Sequence, residues 1–512
     1  MEKFEREFDL ESYRSLSVSE ILRQAILTRL RKGEDVFPDI DGREDTKSDL
    51  IRAILSGSHP YLISEEGTGK TRLARSLARL LPPVPAVKGC PYHDDPKWEA
   101  DLLCNGCMKS ENLFEQPGIE FIPGEARFSR IQGNEYTNEA KLLGLKDIQA
   151  IASGASPSDP SAFIGTGIFR ANRGILMVDE LPAIRTKVQV LLHPLLEEKK
   201  AVLEEYNWER FVDLVLIATG NPSGFSHVNE IPRPLLDRLE MIFMELPDEG
   251  IEKEIILKEG SAIGSNEYRR QNALAETIPD FTIDDSFLEP RVITPWWALE
   301  VLNKTVRYSR ECPNLEKKPS IRGGTKAYAH TVSSVEMEDR NVATLKDVFL
   351  GLRLALRGRI GLLPDFIDFD NPEKTIKKSD QVVEDMVRDV IRYVCNEIFA
   401  KVELDKESFG NEITGISDKK LEGMELRTSK DFPELGKVLD WMLGNWQSKM
   451  PGELCEQYAR DVFNLKDDIE ESIKKEYIDS AFSFVAAGAA ASRIIKEDML
   501  SVKIFIPKEM AL

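Results

Sequence analysis

The chain has 512 residues, 42% hydrophobic and 30% charged, a composition typical of a soluble protein with roughly two to four domains. Its formal charge of −20 argues against a broad basic surface, so nucleic acid is not the expected partner. No basic start precedes an apolar N-terminal segment, and the small-apolar stretch 481–491 is too short to cross a bilayer. We therefore expect a cytoplasmic protein that does not enter the membrane.

Residues 1–45 are predicted to form a short helical lead-in, because apolar residues recur on one face between Ile21 and Leu30. A second helix follows and is predicted to end at Gly57, a residue suited to a helix C-terminus. The apolar residues 61–63 then predict a first strand.

The loop after that strand has the pattern of a phosphate-binding site. Its glycines let backbone N–H groups converge on a phosphate, Lys70 adds a charge for the β and γ phosphates, and the Thr71 hydroxyl can reach Mg²⁺. A leucine-periodic helix follows until Pro82, which makes a chance glycine-rich turn the weaker interpretation. The usual motif has glycine where this chain has Ser64, so we expect altered geometry with binding retained. The predicted nucleotide-binding residues are Ser64, Glu65, Glu66, Gly67, Thr68, Gly69, Lys70 and Thr71.

An irregular insertion at 88–110 contains one Cys-x2-His pair and one Cys-x2-Cys pair. Such spacing lets each pair hold one side of a tetrahedral ion, so zinc is one interpretation and free thiols in a loop are the other. The candidate ligands are Cys90, His93, Cys104 and Cys107. The other cysteines, Cys312, Cys395 and Cys455, are isolated in the sequence and are predicted to be core thiols.

Two acids follow the next buried strand. Residues 137–162 are predicted to hold an amphipathic helix and a turn-rich segment, and the continuous apolar run 174–178 then predicts a strand of a parallel sheet. Ligand chemistry in open α/β sheets lies at the carboxyl ends of strands. Asp179 is suited to hold Mg²⁺, and Glu180 to act as general base toward a water molecule.

Alternating charged and apolar residues in 197–213 predict a hairpin, and residues 212–218 predict the following strand. Asn221 follows this strand and could orient the attacking water at the same edge as Glu180, although an Asn before proline is more often a turn residue. Arg233 and Arg238 lie farther along, and without further context such arginines are usually surface charges.

The order of these motifs resembles the AAA+ ATPases of the branch that holds magnesium chelatase ATPase subunits and MoxR-type proteins. The resemblance covers about residues 35–360, including an insertion at 137–162 and a hairpin near 198–212. It implies an α/β fold, with a P-loop AAA+ parallel sheet flanked by helices and a helical lid. The stretches that carry it are Gly89-Cys90-Pro91-Tyr92, residues 171–180, Arg233-Pro234-Leu235-Leu236-Asp237-Arg238 and Arg130-Ile131-Gln132-Gly133.

The resemblance also implies residue roles, with ATP and Mg²⁺ as cofactors and Thr71 and Asp179 beside the metal. An arginine finger supplied to a neighbour's nucleotide makes hydrolysis depend on assembly, so a homo-oligomeric ring, of six subunits, is implied. Arg322 is a less regular match, because the family more often has proline before that arginine. The implied assignments are Lys70 and Thr71 to Walker A, Asp179 and Glu180 to Walker B, Asn221 to sensor 1, Arg238 to the arginine finger with Arg233 as second candidate, and Arg322 to sensor 2.

The expected domain organisation places the nucleotide-binding core at 46–249, the lid at 250–364 and a linker at 365–380. Residues 381–512 are predicted to be mostly helical and match no motif. No Asp-x-Ser-x-Ser pattern occurs there, so the integrin-like metal-binding domain of some chelatase subunits and MoxR partners is expected on a separate von Willebrand-type partner protein.

The function predicted from these features is ATP hydrolysis by a ring-shaped AAA+ motor that remodels a partner protein. Three alternatives stay open: a true magnesium chelatase motor for Mg²⁺ insertion into a porphyrin, a helicase-like nucleic-acid motor, and a nucleotide-gated scaffold without turnover. Acidity and the lack of interleaved aromatic and basic residues weigh against the helicase. Glu180 and Arg238 weigh against the scaffold, which needs neither.

Overall fold

The computed structural model divides into two compact units, an N-terminal unit of residues 1–288 and a C-terminal unit of residues 289–512. The residues that the structure describes are 9–64, 68–108, 118–156, 162–203, 208–221, 229–245, 251, 283–288, 292–367, 372–416, 432–449 and 471–496. Within these ranges, no helix combines the length and the apolar character needed to span a bilayer.

The N-terminal unit is built on strands and short helices. Its strands are β1 (His59–Ile63), β2 (Val84–Val87), β3 (Ile119–Ile122), β4 (Phe128–Gln132), β5 (Gly144–Lys146), β6 (Phe163–Gly165), β7 (Gly174–Asp179), β8 (Lys200–Leu203), β9 (Trp208–Phe211), β10 (Leu214–Gly220) and β11 (Leu239–Phe243). Its helices are α1 (Val18–Arg31), α2 (Glu44–Leu55), α3 (Lys70–Arg79), α4 (Asn105–Met108), α5 (Glu139–Leu142), α6 (Ile148–Ala152), α7 (Gly167–Arg170), α8 (Thr186–Gln189), α9 (Leu192–Glu198) and α10 (Arg233–Leu236).

A five-stranded sheet in the order β11-β1-β10-β7-β4 organises this unit, and its strand pairs are all parallel. The inner strands β7 and β10 are buried along their whole length, because continuous apolar runs suit strands covered on both faces. The predicted parallel sheet flanked by helices is therefore confirmed. The predicted hairpin is also present, as the antiparallel pair β8 and β9.

The amphipathic helix expected in 137–162 is wrong in one respect, because a strand interrupts it. Leu142, at the end of α5, and Leu143, which follows it, are both buried. The chain then forms β5, which pairs with β6, before α6 begins. A Cβ on Gly144 would lie 2.2 Å from the Ile164 carbonyl oxygen, so this glycine permits the close strand pairing. Asp147 then caps α6 by accepting hydrogen bonds from two backbone N–H groups. Leu145 and Ile148 consequently remain exposed.

The C-terminal unit is mostly helical, as predicted. Its strands are β12 (Leu315–Lys317) and β13 (Gly361–Leu362), which pair antiparallel. Its helices are α11 (Trp296–Glu311), α12 (Ile321–Met337), α13 (Leu345–Leu356), α14 (Pro372–Lys401), α15 (Lys406–Gly415), α16 (Pro433–Gly444), α17 (Trp446–Lys449) and α18 (Glu471–Ala491).

One apolar cluster extends through this unit from Trp296 to Ile495. The side-chain N–H of Trp296 donates to the Met442 carbonyl, and that of Trp297 donates to Ser480. The region expected to be a lid and the region expected to follow a linker therefore share one core. The structure also differs from the expected linker at 365–380, because α14 begins at Pro372 and its apolar face joins this core.

Candidate functional site

The carboxyl ends of the central strands meet at one edge of the sheet. Ile63 at the end of β1 pairs with Gly220 of β10, and Asp179 at the end of β7 pairs with Gln132 of β4. In parallel sheets, the segments that leave these ends converge on a shared crevice. The described residues of the predicted phosphate loop, the two acids and Asn221 therefore lie along the same edge.

Polar groups of the described residues in the predicted phosphate loop contact one another. The Lys70 ammonium group donates to the Ser64 carbonyl at 2.7 Å, and the Ser64 and Thr68 hydroxyls are 2.5 Å apart. Gly69 adopts a left-handed conformation, with φ of 92°, directly before α3 begins at Lys70. Ser64 thus contributes a hydrogen bond across the loop that glycine could not make. The predicted ligands Glu65, Glu66 and Gly67 lie outside the described residues.

Asp179 and Glu180 are held in place by the neighbouring strand. The Thr219 hydroxyl of β10 donates to the Asp179 carboxylate at 2.6 Å and accepts the Glu180 backbone N–H at 3.0 Å. Glu180 adopts a left-handed conformation, with φ of 55°, which turns the chain sharply out of β7. This contact fixes the two acids relative to β10, the strand that Asn221 follows. The sequence places Thr219 beside Asn221, but its link to both acids emerges only from the strand pairing.

Arg130 is a second partner of Asp179 that motif analysis did not assign. Its guanidinium group forms an ion pair with the Asp179 carboxylate, and its Nε lies 3.1 Å from the same oxygen. Gly133 follows on the same segment, where its N–H donates to the Asp179 carbonyl at 2.6 Å. A Cβ at Gly133 would lie only 2.3 Å from the Glu180 carbonyl oxygen. The edge strand β4 therefore helps to position both acids.

Tyr61 of β1 has a buried hydroxyl whose pKa responds to the charge of Glu180. Burial raises the pKa of Tyr61, and the negative charge of Glu180 raises that pKa further. A Cβ at Gly220 would lie 2.4 Å from the tyrosine oxygen, so this glycine leaves room for it. Tyr61 thus stays protonated, and its neutral hydroxyl lies within electrostatic range of Glu180.

The predicted arginines occupy different parts of the chain. Arg238 follows α10 and forms an ion pair with Glu197 of α9, while a second N–H donates to the Pro234 carbonyl. Arg233 is exposed in the first turn of α10. Arg322 lies in the C-terminal unit, in the first turn of α12, after Ser320 has capped that helix. The sensor 2 role of Arg322 stays a prediction.

The structure brings the three predicted cysteines of the insertion together, but a different residue lies beside them in place of the predicted histidine. The sulfur atoms of Cys90, Cys104 and Cys107 and a carboxylate oxygen of Asp94 all lie within 4.8 Å of one another, and the four residues are buried. His93 does not join them, and its Nδ1 lies 3.5 Å from the Asn172 carbonyl instead. The backbone turns at His93, with φ of 58°, and brings the next residue to the sulfurs. Asp94 therefore replaces His93 in the predicted set.

Two stretches singled out in the sequence contact each other. The Asn172 side chain donates to the Tyr92 carbonyl at 2.6 Å and accepts the Asp213 N–H at 3.0 Å. Arg173 forms an ion pair with Asp95 at 2.5 Å. The start of β7, which ends in the two acids, is therefore bound directly to the cysteine-containing insertion.

Comparison with known protein families identifies the class of protein to which the chain is similar. A family model described as an AAA domain of the dynein-related subfamily matches residues 119–239, a range that includes Asp179, Glu180, Asn221 and Arg238. The chain is an ATPase with an AAA+ fold.

Magnesium-chelatase subunits are among its sequence relatives. The chain is 26% identical over 340 residues to magnesium-chelatase subunit ChlI of Euglena gracilis, covering 63% of this chain and 90% of that protein. It is 35% identical over 150 residues to the magnesium-chelatase 67 kDa subunit of Heliobacterium mobile, covering 28% and 21%. A crystal structure from Cytophaga hutchinsonii aligns at 15% identity over 72% of this chain and 96% of that one, with a TM-score of 0.48.

Proposed function

We propose that the chain works as one subunit of a homo-oligomeric ring that hydrolyses ATP to remodel a separate partner protein. The observation that carries this proposal is the fixed pair Asp179 and Glu180, which Thr219 holds beside the phosphate loop. A protein that only bound nucleotide would need no general base in that place. The arrangement therefore favours hydrolysis over the scaffold alternative.

Each residue at the edge has a separable task. Lys70 binds the β and γ phosphates, and the N-terminal end of α3 adds its backbone N–H groups and partial positive charge. Glu180 accepts a proton from the attacking water, and Asn221 orients that water. The oxygen donors of Thr71 and Asp179 fit Mg²⁺, which prefers hard oxygen ligands. When bound, Mg²⁺ neutralises charge on the phosphate oxygens.

Arg238 supports an oligomeric arrangement. It follows α10 and is held by Glu197, and the resemblance assigns this position to a finger that acts on the nucleotide of a neighbouring subunit. An arginine supplied in trans stabilises negative charge on the transferred phosphoryl group only after assembly. A hexameric ring is the arrangement we propose. The resemblance assigns sensor 2 to Arg322, and we keep that role as part of the proposal.

The partner is proposed to carry a von Willebrand-type domain, because residues 381–512 have no Asp-x-Ser-x-Ser pattern of their own. Among the described residues, Cys90, Cys104, Cys107, Cys312 and Cys395 form no disulfide, which suits a reducing compartment such as the cytoplasm.

A magnesium chelatase motor is the second candidate function. It is favoured by the similarity to the Euglena ChlI subunit over 90% of that protein. ATP turnover that rises on adding a porphyrin and the remaining chelatase subunits would support it. Salt-sensitive DNA binding with DNA-stimulated turnover would instead favour a helicase-like motor.

Subunit mixing tests the ring. We expect Lys70→Ala and Arg238→Ala each to abolish turnover alone, because every site lacks one component. Mixed at equal amounts, the two variants should regain up to about a quarter of wild-type ATPase activity, since random neighbours complete about one site in four. The double variant K70A/R238A mixed with Arg238→Ala is the control, because that mixture can complete no site. No recovery at any mixing ratio, with rings seen by light scattering, would refute the shared site.

A further inference from the structure

We propose that the insertion between β2 and β3 holds one structural zinc ion, bound by the thiolates of Cys90, Cys104 and Cys107 and by the Asp94 carboxylate. The sulfur atoms of Cys90 and Cys104 lie 3.9 Å apart, and all four ligand atoms lie within 4.8 Å of one another. A tetrahedral ion with Zn–S bonds of about 2.3 Å holds its sulfur ligands about 3.8 Å apart. The spacing therefore matches a single ion.

The composition of the site selects zinc. Three thiolates form a soft ligand set that disfavours Mg²⁺ and Ca²⁺, and a tetrahedral thiolate-rich site is typical of zinc. Iron–sulfur clusters distribute their cysteines over several irons, so they need wider spacing between the sulfurs than this site has. The Cys107 N–H donates to the Cys104 sulfur at 3.4 Å, a contact that stabilises a thiolate.

Asp94 is better placed than His93 to complete the site. Its side chain is fully buried and is already oriented by two donors, the Arg210 guanidinium group and the Cys104 N–H at 2.6 Å. A carboxylate has about four lone-pair positions, so these two donors leave room for an ion. Three thiolates and one carboxylate carry four negative charges, and Zn²⁺ with Arg210 offsets three of them.

Among the described residues of the insertion, the apolar core is small. Its apolar cluster consists of Val87 and the three cysteines, with Tyr92 and Leu103 packed against them. So small a core cannot stabilise a long irregular loop by burial alone, whereas one structural zinc ion can. Because Asn172 and Arg173 bind the backbone and Asp95 of this loop, the ion would also secure the start of β7.

Metal analysis of the purified full-length chain tests the proposal. We expect about one zinc per chain in the wild type, loss of zinc in Cys107→Ser, and retention in Cys312→Ser, which removes a buried thiol of the C-terminal unit. Asp94→Asn should lower the zinc content, and His93→Gln should leave it unchanged. Wild-type protein purified without metal and without loss of thermal stability would overturn the site, and bound iron would overturn the choice of zinc. Zinc lost from His93→Gln but kept by Asp94→Asn would overturn Asp94 as the fourth ligand.

If one of these variants fails to fold, the wild-type protein can still be used to test the site. Titration with a thiol-specific mercurial should release zinc in step with three thiols, and the melting temperature should fall by about 5 °C or more. Replacement of the ion by Co²⁺ should give intense ligand-field bands of a tetrahedral site, together with thiolate-to-cobalt charge-transfer absorption. Weak octahedral bands would refute thiolate ligation.

Discussion

Two regions of the N-terminal unit are held in place by different parts of the chain. One is the nucleotide edge, the sheet edge where the carboxyl ends of the central strands carry Asp179, Glu180 and Asn221, and the other is the cysteine-containing insertion between β2 and β3. At the edge, parallel strands fix the backbone, and residues such as Glu180 and Asn221 project from a frame that does not depend on them. In the insertion, buried side chains make the connections themselves, such as Asp94 within it and Asn172, which precedes β7 and contacts it from outside. Removing a side chain should therefore alter chemistry at the edge and stability in the insertion.

Glu180→Gln should give the largest effect. It removes the proposed base while the neighbouring Thr219 contact, made by the Glu180 backbone, remains. We expect ATP turnover to fall at least about 100-fold, with ATP binding and thermal stability unchanged. Steady-state phosphate release and nucleotide titration measure the two properties separately.

Glu198→Gln is the matched control, because it makes the same substitution at an exposed position of α9. Its turnover should equal that of the wild type. If Glu180→Gln also kept normal turnover, Glu180 would not be the base.

Asn172→Ala, which removes a contact between the segment before β7 and the insertion, should show the opposite behaviour. The change removes a fully buried side chain together with its hydrogen bonds to the Tyr92 carbonyl and the Asp213 N–H, so we expect a loss of about 2–3 kcal/mol in the free energy of unfolding. Zinc should stay bound, because none of its proposed ligands is changed. Urea denaturation and metal analysis measure these outcomes.

Asn229→Ala is the control for that change, because Asn229 is exposed and its contact with the Pro182 carbonyl is 3.4 Å long. It should alter stability by less than about 0.5 kcal/mol. Equal losses from the two substitutions would contradict the anchoring role of Asn172.

Ser64→Gly should give the smallest effect. It restores the usual motif and removes the hydroxyl that contacts Thr68, a contact worth about 1 kcal/mol. We expect ATP affinity to change by less than about 5-fold, since Lys70 bonds to the residue 64 backbone carbonyl. Ser64→Ala separates loss of the hydroxyl from gain of backbone freedom. Loss of ATP binding in both variants would show that the hydroxyl itself is required.

Much of the nucleotide edge could be predicted from sequence, because buried parallel strands are continuous apolar runs and their ends are marked by polar residues. Asp179 and Asn221 were located in this way. Arg130 and Thr219 gained a role only from strand register, since they meet Asp179 across the sheet rather than along the chain. In the insertion, cysteine spacing identified the cluster, but the left-handed turn at His93 decided which neighbour joined it.

The C-terminal unit shows a further limit. Apolar stripes identified the helices there, but a stripe shows only that a face is buried and not which element covers it. The core shared by Trp296 and Trp297 with helices beyond residue 381 was therefore not foreseen. Cys312 and Cys395 are buried in this core, as expected for isolated cysteines, and Cys455 lies outside the described residues.

The ion pair between Arg238 and Glu197 has a consequence for the energetics of ring closure. Under the proposed arrangement, each arginine exchanges a carboxylate in its own subunit for a phosphate in the next. Association gains only the difference between the attraction of Arg238 to the neighbour's phosphate and its attraction to Glu197. The exchange therefore releases less free energy than an arginine with no carboxylate partner would release on binding the phosphate. Glu197→Gln removes the competing carboxylate and should tighten nucleotide-dependent association. The same residue would then limit how persistently neighbouring subunits stay engaged after phosphate has left.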